Sequence, residues 1–329
     1  MSVRFQHNDE LILFASLLFY DYPKAQTLLL DRYSSIDSFQ NNYRDFIQGL
    51  RIGLKRQSVY YDRIKSIDIE SQFKLIQQHC DGIIRFTDNH YPCALKQLYD
   101  PPICLYYKGD PSLLSKPSLS VVGTRKANAY GHQLNSLFCQ FLSPHLTICS
   151  GLALGIDGIA HDTTLKNNGN TIAFLGTGID LCYPSTHKAL FKRICEEGLV
   201  ITEFPCAHPV KPAHFPQRNR LITGISLGTL LIQAQLKSGS MISANLARDS
   251  HKPVFVIPHS ITDPLGDGGH HLLKEGAYCV THPNDILQIL SLNMSFTHSN
   301  ESSLEPPLLS IKHPPPDLTS DEARLWSSL

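Results

Sequence analysis

The residues best suited to chemistry here are small and cationic ones that recur where apolar runs end. Gly123, Thr124, Arg125 and Lys126 follow the run Leu119–Val122. Ser150 and Gly151 follow Leu146–Cys149, and Lys237, Ser238, Gly239 and Ser240 follow Gly228–Ile232. Ile172–Gly178 repeats the pattern. Each run reads as a strand ending in a Gly, Ser or Thr turn, with a helix just after it, as near Gly155 or Ile156. Helix N-termini gathered along one sheet edge suit an anion. Arg125 adds a guanidinium, which grips a phosphate through two parallel charge-assisted hydrogen bonds. An arginine bracing a carboxylate inside the fold is the simpler alternative.

Phe215–Arg220 is a second basic element, with Pro216 suited to a first helical turn. Arg218 and Arg220 are two apart and point different ways on a helix, so one is expected at the anion edge and the other on acidic groups of the fold. The candidate anion-binding set is thus Gly123, Thr124, Arg125, Lys126, Ser150, Gly151, Gly155, Arg218, Arg220, Lys237, Ser238, Gly239 and Ser240. One mononucleotide needs one or two such loops; three or more along an edge suit an extended polyanion or a compact nucleotide.

Familiar nucleotide signatures are absent. No G-x-G-x-x-G follows the first strand, and no Gly-Lys-Ser or Gly-Lys-Thr closes a Walker loop. Asp157 and His161 are spaced as a base and its orienter would be on one helix face, though such pairs are more often local braces. Ser150 is not in a G-x-S-x-G turn, and the adjacent His270 and His271 lack a third metal ligand. Glu203, just past a strand, is the other acidic candidate. The sequence therefore predicts a binding protein with no cofactor or metal, not an enzyme.

The elements that must position these groups follow from the same pattern. From Leu119 to Val280, near-continuous apolar strands alternate with helices, which means a mainly parallel, doubly wound, Rossmann-like sheet covered on both faces. Residues 1–80 read as a small all-helical domain, with Gln48–Gly53 as a weak candidate hairpin. Residues 81–290 form the main domain, with short strands near Ile83 and Cys104 extending its sheet or pairing beside it. Residues 291–317 are a polar, proline-rich linker by composition, and 318–329 open a further helix.

Composition narrows the class. The chain has 329 residues, with 29 Lys plus Arg against 29 Asp plus Glu. The strongly basic balance of many nucleic-acid proteins is missing, although a local patch is enough for backbone contacts. Of 16 histidines, 11 lie from His132 to His282, so mild acid is expected to make that region more positive. Nine cysteines without a Cys-x-x-Cys pair read as reduced, buried thiols of a cytosolic protein. Leu11–Tyr20 is too short to span a membrane.

The same residues resemble the DNA-processing protein DprA/Smf family. The resemblance is carried in order by Ser120–Lys126, Ser150–His161, Gly176–Pro184, Thr202–Pro205, Phe215–Ile222 and Lys237–Ser243, and spans roughly residues 81–282. It implies a cytoplasmic single-stranded-DNA-binding protein of natural transformation and homologous recombination that loads RecA past single-strand-binding protein. It also implies a homodimer formed through the Rossmann-like domain, a sterile-alpha-motif-like N-terminal domain, and a winged helix of which Leu318–Leu329 would be a truncated start. Carried over by motif, phosphate contacts fall on Gly123–Arg125, Ser150–Gly151, Arg218 and Arg220. Departures are Leu154 and Asn170 at usually basic positions, Gln233 for Glu, His259 for Gly, and His270 for Asn. Two positive side chains near the pocket would thus be lost. Two alternatives stay open: a nucleotide-monophosphate phosphoribohydrolase-like enzyme, whose P-G-G-x-G-T-x-x-E signature is missing, and a structural adaptor that has lost DNA binding.

Overall fold

A computed structural model describes residues 9–290. The linker and winged-helix expectations, at 291–317 and 318–329, lie outside the described residues.

The described residues open on six helices: α1 (Asp9–Leu18), α2 (Pro23–Arg32), α3 (Ile36–Gln40), α4 (Tyr43–Gly49), α5 (Leu54–Ser66) and α6 (Ile69–His79). The periodicity predicts one helix where α3 and α4 stand, and one where α5 and α6 stand. Each is broken by a local cap: Asn42 is the N-cap of α4, and Asp68 accepts from the Ser71 amide at the start of α6. The weak hairpin at Gln48–Gly53 is the α4–α5 turn, in which Arg51 takes a positive φ of 52°.

The sheet and its helices follow in order: β1 (Gly82–Arg85), α7 (Cys93–Lys96), β2 (Cys104–Gly109), β3 (Ser118–Val122), α8 (Ala129–Leu142), β4 (Thr147–Ser150), α9 (Ile156–Lys166), β5 (Thr171–Phe174), α10 (Lys188–Glu197), β6 (Leu199–Thr202), α11 (His214–Ile225), β7 (Thr229–Leu231), α12 (Gly239–Asp249), β8 (Val254–Val256), α13 (Asp267–Lys274), β9 (Tyr278–Cys279) and α14 (Pro283–Ile289). The sheet order is β1-β2-β6-β5-β4-β3-β7-β8-β9. From β6 to β9 every pairing is parallel, while β1 and β2 add an antiparallel edge.

Alternation along the strands shows that both faces are covered. Tyr106, Ala173 and Val200 belong to one apolar cluster, with Leu165 of α9 and Ile194 of α10. Their neighbours Leu105, Ile172, Phe174, Leu199 and Ile201 belong to another, with Leu221, Ile222 and Ile225 of α11. Successive strand residues point to opposite faces, so a strand buried on both must be apolar throughout. The N-terminal helices share the first cluster, with Phe14, Phe19, Phe39, Phe46 and Tyr60 at its centre. Ser16 Oγ and the Tyr106 hydroxyl lie 2.8 Å apart, and Asp9 pairs with Arg85. Among the described residues no helix is long and apolar enough to cross a membrane.

The chain starts its parallel strands at β3, builds outward through β4, β5 and β6, and then returns through α11 to place β7 on the other side of β3. Connections on the two sides of that reversal leave β3 and β7 in opposite directions. This opens a crevice beyond their carboxyl ends.

Candidate nucleic-acid interface

A cleft of about 730 Å³ occupies that crevice. Its walls are the exit of β3 (Val122–Lys126), the start of α12 (Ser238–Ser240 and Ser243), the first half of α11 (Phe215, Pro216, Arg218, Asn219) and Tyr183 from the β5 exit. The sheet edge thus brings the Gly-Thr-Arg loop, Arg218 and the Ser-Gly-Ser turn together. Three separate segments become one site.

Arg125 is exposed, and its guanidinium carbon lies 5.6 Å from the centroid of the Phe215 ring. Among the described residues no carboxylate stands within ion-pair distance of it, so it does not brace the fold. Tyr183 is 44% exposed and its ring centroid lies 5.5 Å from that of Phe215. An accessible cation beside two aromatic rings suits a phosphate with a base next to it. Sequence reasoning missed Tyr183 and the ring of Phe215; the tyrosine of the Cys182–Pro184 motif was the available signal.

Arg218 and Arg220 divide as their spacing requires. Because α11 begins at His214, both lie on the helix rather than in a loop. Arg218 reaches the cleft floor and donates to the Gly151 carbonyl at 2.7 Å and to the Phe174 carbonyl. Burial lowers its pKa to about 10, opposed by the nearby Asp157 carboxylate. Arg220 turns to Glu203, at 2.5 Å, and to Asp100, at 3.5 Å. Its expected place at the anion edge is therefore corrected: it is the fold's internal ion pair.

Several other candidates hold the site from behind. Ser150 is fully buried and donates to the Val121 carbonyl at 2.7 Å. The Gly151 amide donates to Asp157 at 3.1 Å, and a Cβ on Gly151 would meet the Arg218 guanidinium at 2.5 Å. Gly155 adopts φ 74°, and a Cβ there would meet the Thr124 carbonyl at 2.4 Å. It is a glycine because the Gly-Thr-Arg loop lies directly on it. Outward-pointing amides are also fewer than expected: Thr124 N donates to the Gln233 carbonyl at 2.7 Å, and Lys126 N to Thr124 Oγ1 at 3.2 Å. Lys237 is exposed but outside the cleft lining, whereas Ser238, Gly239 and Ser240 are in it.

Departures from the family pattern also find their places. Leu154 is 44% exposed beside the cleft residue Ala153. Asn170 precedes β5 and pairs its carbonyl with the Ile148 amide, so it lies at the opposite edge of the sheet and costs the cleft no charge. Gln233 is buried and donates to Asn128 Oδ1 at 2.8 Å while accepting from the Asn128 amide at 3.3 Å, a double role that a carboxylate cannot fill. His270 Nε2 donates to the His259 carbonyl at 3.0 Å, and the His259 ring packs against Tyr130.

The candidate catalytic residues each have structural partners. Asp157 accepts from the Gly151 and Ala153 amides, while His161 pairs with Thr171 Oγ1 at 2.7 Å. Among the described residues no three His, Cys, Asp or Glu side chains are grouped to hold a metal. The nine cysteines form no disulfide; five are buried, but Cys93 and Cys279 are exposed, which corrects the expectation of burial for those two. Burial pushes the Cys139 and Cys149 thiols up to about 12.

Four of the eleven histidines from His132 to His282 depart from the expectation that mild acid charges them. Burial, helped by His187, holds His161 down at about 3, and burial with His214 holds His208 down at about 3. Burial lowers His145 and His214 as well. The rings of His161 and His208 stay neutral in the fold while the unfolded chain takes up protons, so their contribution is complete above the ordinary value of 6.5 and is lost as pH falls below it. Acidifying to about pH 5 should remove roughly 2 kcal/mol through His161 alone. Thermal unfolding followed across that range should show Tm falling, with a flatter slope in His161→Gln. A Tm independent of pH would show that the buried imidazoles do not control acid stability.

A mainly parallel α/β sheet with an arginine- and aromatic-lined crevice at its strand-order reversal defines an α/β protein with a candidate anion cleft. Residues 82–291 match the family described as DNA recombination-mediator protein A, well over half of the chain, and the protein belongs to that family. DNA processing protein DprA of Streptococcus pneumoniae is 41% identical over 236 residues, covering 71% of this chain and 83% of the relative. DprA of Bacillus subtilis is 34% identical over 255 residues, covering 73% of this chain and 86% of its own. The solved structure of the S. pneumoniae protein has a TM-score of 0.69 at 33% identity, covering 86% of this chain and 93% of that one. DNA processing protein A from Helicobacter pylori, in a structure described for its single-stranded DNA binding mode, has a TM-score of 0.58 at 32% identity, covering 64% of this chain and 95% of that one.

Proposed function

We propose that the protein binds single-stranded DNA in the cleft between β3 and β7 and acts as a recombination mediator without making or breaking a bond. The observation that carries this reading is Arg125, exposed and laid over Phe215 with Tyr183 alongside. A phosphate meets Arg125 and the charge of Arg218, while an unstacked base meets the rings. A duplex keeps its bases stacked and cannot use those rings. The H. pylori relative, described for single-stranded DNA binding, supports the same ligand. In this reading the chain is a Rossmann-like homodimer in the cytoplasm that holds an incoming strand during natural transformation, carries it past single-strand-binding protein and hands it to RecA.

Fluorescence anisotropy with labelled oligo-dT tests the reading. Tyr183→Ala is expected to weaken binding by about tenfold, since one base–aromatic stack is worth roughly 1–3 kcal/mol. Wild-type-like affinity in that variant would remove the aromatic platform from the site, and no binding by the native protein at low salt would sink the proposal.

A further inference from the structure

The cleft is one of several places beside α11 where a cation lies against an aromatic ring, and two of the others lead away from it in order. At its start, Arg125 lies over Phe215. Next to it, Lys211 Nζ sits 5.2 Å from the Tyr20 centroid and donates to the Tyr20 hydroxyl at 2.9 Å; the ring itself is covered by Arg63, 4.0 Å from its centroid, and by His208, so this step offers its lysine to a phosphate and no free ring to a base. Tyr20 is tied to α11 itself, because Gln217 Nε2 donates to its carbonyl at 2.9 Å. Further along, Lys24 Nζ sits 5.4 Å from the centroid of Tyr99, which is 85% exposed. The neighbours of Tyr99 hold it to the same helix: Asp100 pairs with Arg220, and Leu98 lies against Gly224. From Phe215 to Gly224 a helix rises about 14 Å, the reach of only a few nucleotides.

The geometry points to a second stretch of single-stranded nucleic-acid surface, leaving the cleft along α11 and crossing Tyr20–Lys211 to reach Tyr99–Lys24. It rests on the reading of the cleft as a strand site. Cations spaced along α11 match the phosphates of an unpaired strand, and the exposed ring of Tyr99 offers a face on which a base can stack. The nearby acids do not cancel the lysines. Asp21 is held by Arg63 at 2.7 Å, and Asp100 by Arg220. Lys24 and Lys211 are exposed, each beside a ring and neither in an ion pair among the described residues. The N-terminal helices supply Tyr20 and Lys24, which gives that part of the chain a share in the ligand.

The test compares native protein with the triple variant Lys24→Gln/Tyr99→Ala/Lys211→Gln, on a dT oligomer of about 4 nucleotides that fills the cleft alone and one of about 20. The triple variant is expected to bind the long oligomer roughly tenfold more weakly, with a salt slope smaller by about 1.4 for two lost phosphate contacts. The short oligomer should bind as before, and Tm should hold because the substituted groups are at the surface. Equal loss on both lengths, or no loss on either, would overturn the extended path. Arg125→Ala in parallel separates this from the reading it rests on. Loss with Arg125→Ala but none with the triple variant leaves the cleft and removes the path, while the reverse pattern removes the cleft and leaves the path as the strand's site.

Discussion

Arg125→Ala is expected to weaken oligo-dT binding roughly 10- to 100-fold at low salt, the worth of one charge-assisted contact to a phosphate. Arg125 and Lys126 are the charged groups of the cleft that are exposed and free of a carboxylate among the described residues, and of the two it is Arg125 that lies over an aromatic ring; Arg218 is occupied by two carbonyls. The variant should also lower the salt slope by about 0.7, the counterion share of one phosphate on a single strand. Tm should be unchanged, since the side chain is solvent-facing and, among the described residues, meets only the Phe215 ring. Anisotropy titrations at two salt concentrations read both effects. Affinity unchanged by the substitution would place the strand elsewhere, and affinity lost with an unchanged salt slope would mean that Arg125 orders the rings instead of meeting a phosphate.

Arg220→Ala should do the reverse, costing stability and leaving the cleft in place. The guanidinium is 9% exposed and its partner Glu203 4% exposed, so the deletion strands a buried carboxylate. Burial pushes Glu203 up to about 7, with Arg220 pulling the other way, so it ionises only against a strong penalty once the arginine is gone. Breaking one side of a buried pair costs about 3–5 kcal/mol. For a folded unit of this size that is a fall in Tm of roughly 10 °C. Replacing both partners with apolar residues, as in Arg220→Met/Glu203→Leu, should recover much of the loss, because no charge is left without a partner. Differential scanning fluorimetry reads the ladder. If Arg220→Ala melts like the native protein while oligo-dT binding collapses, Arg220 belongs to the site and not to the core.

Most of the sheet was legible along the chain because strands buried on both faces are apolar without interruption. Ser118–Val122 and Leu199–Thr202 stand within a residue of their expected limits. The helical module was less legible, since an amphipathic run continues through a tight cap without a change of period. Ile36–Leu50 therefore reads as one helix although Asn42 divides it. In the site, the loops that would gather were evident from where the glycines fall. Which groups face outward was not. Arg218 and Arg220 have the same side chain two positions apart, and only the packing of α11 against β5 and β6 sends one to the Gly151 carbonyl and the other to Glu203.

By itself the sequence determined the succession of strands and helices, the loops with Gly, Ser and Arg at their ends, and the two-position spacing that sets the arginines apart. These are local properties, written in hydrophobic period and turn chemistry. Only the tertiary structure decided which groups are free. It turned Ser150 inward to Val121, laid Arg125 over Phe215, brought Tyr183 from a separate loop, and placed Asn170 at the far edge of the sheet. The physical reason is that a polar group inside a fold is claimed by whichever partner packing brings within reach. Those partners lie tens of residues away, at distances that periodicity along the chain does not encode.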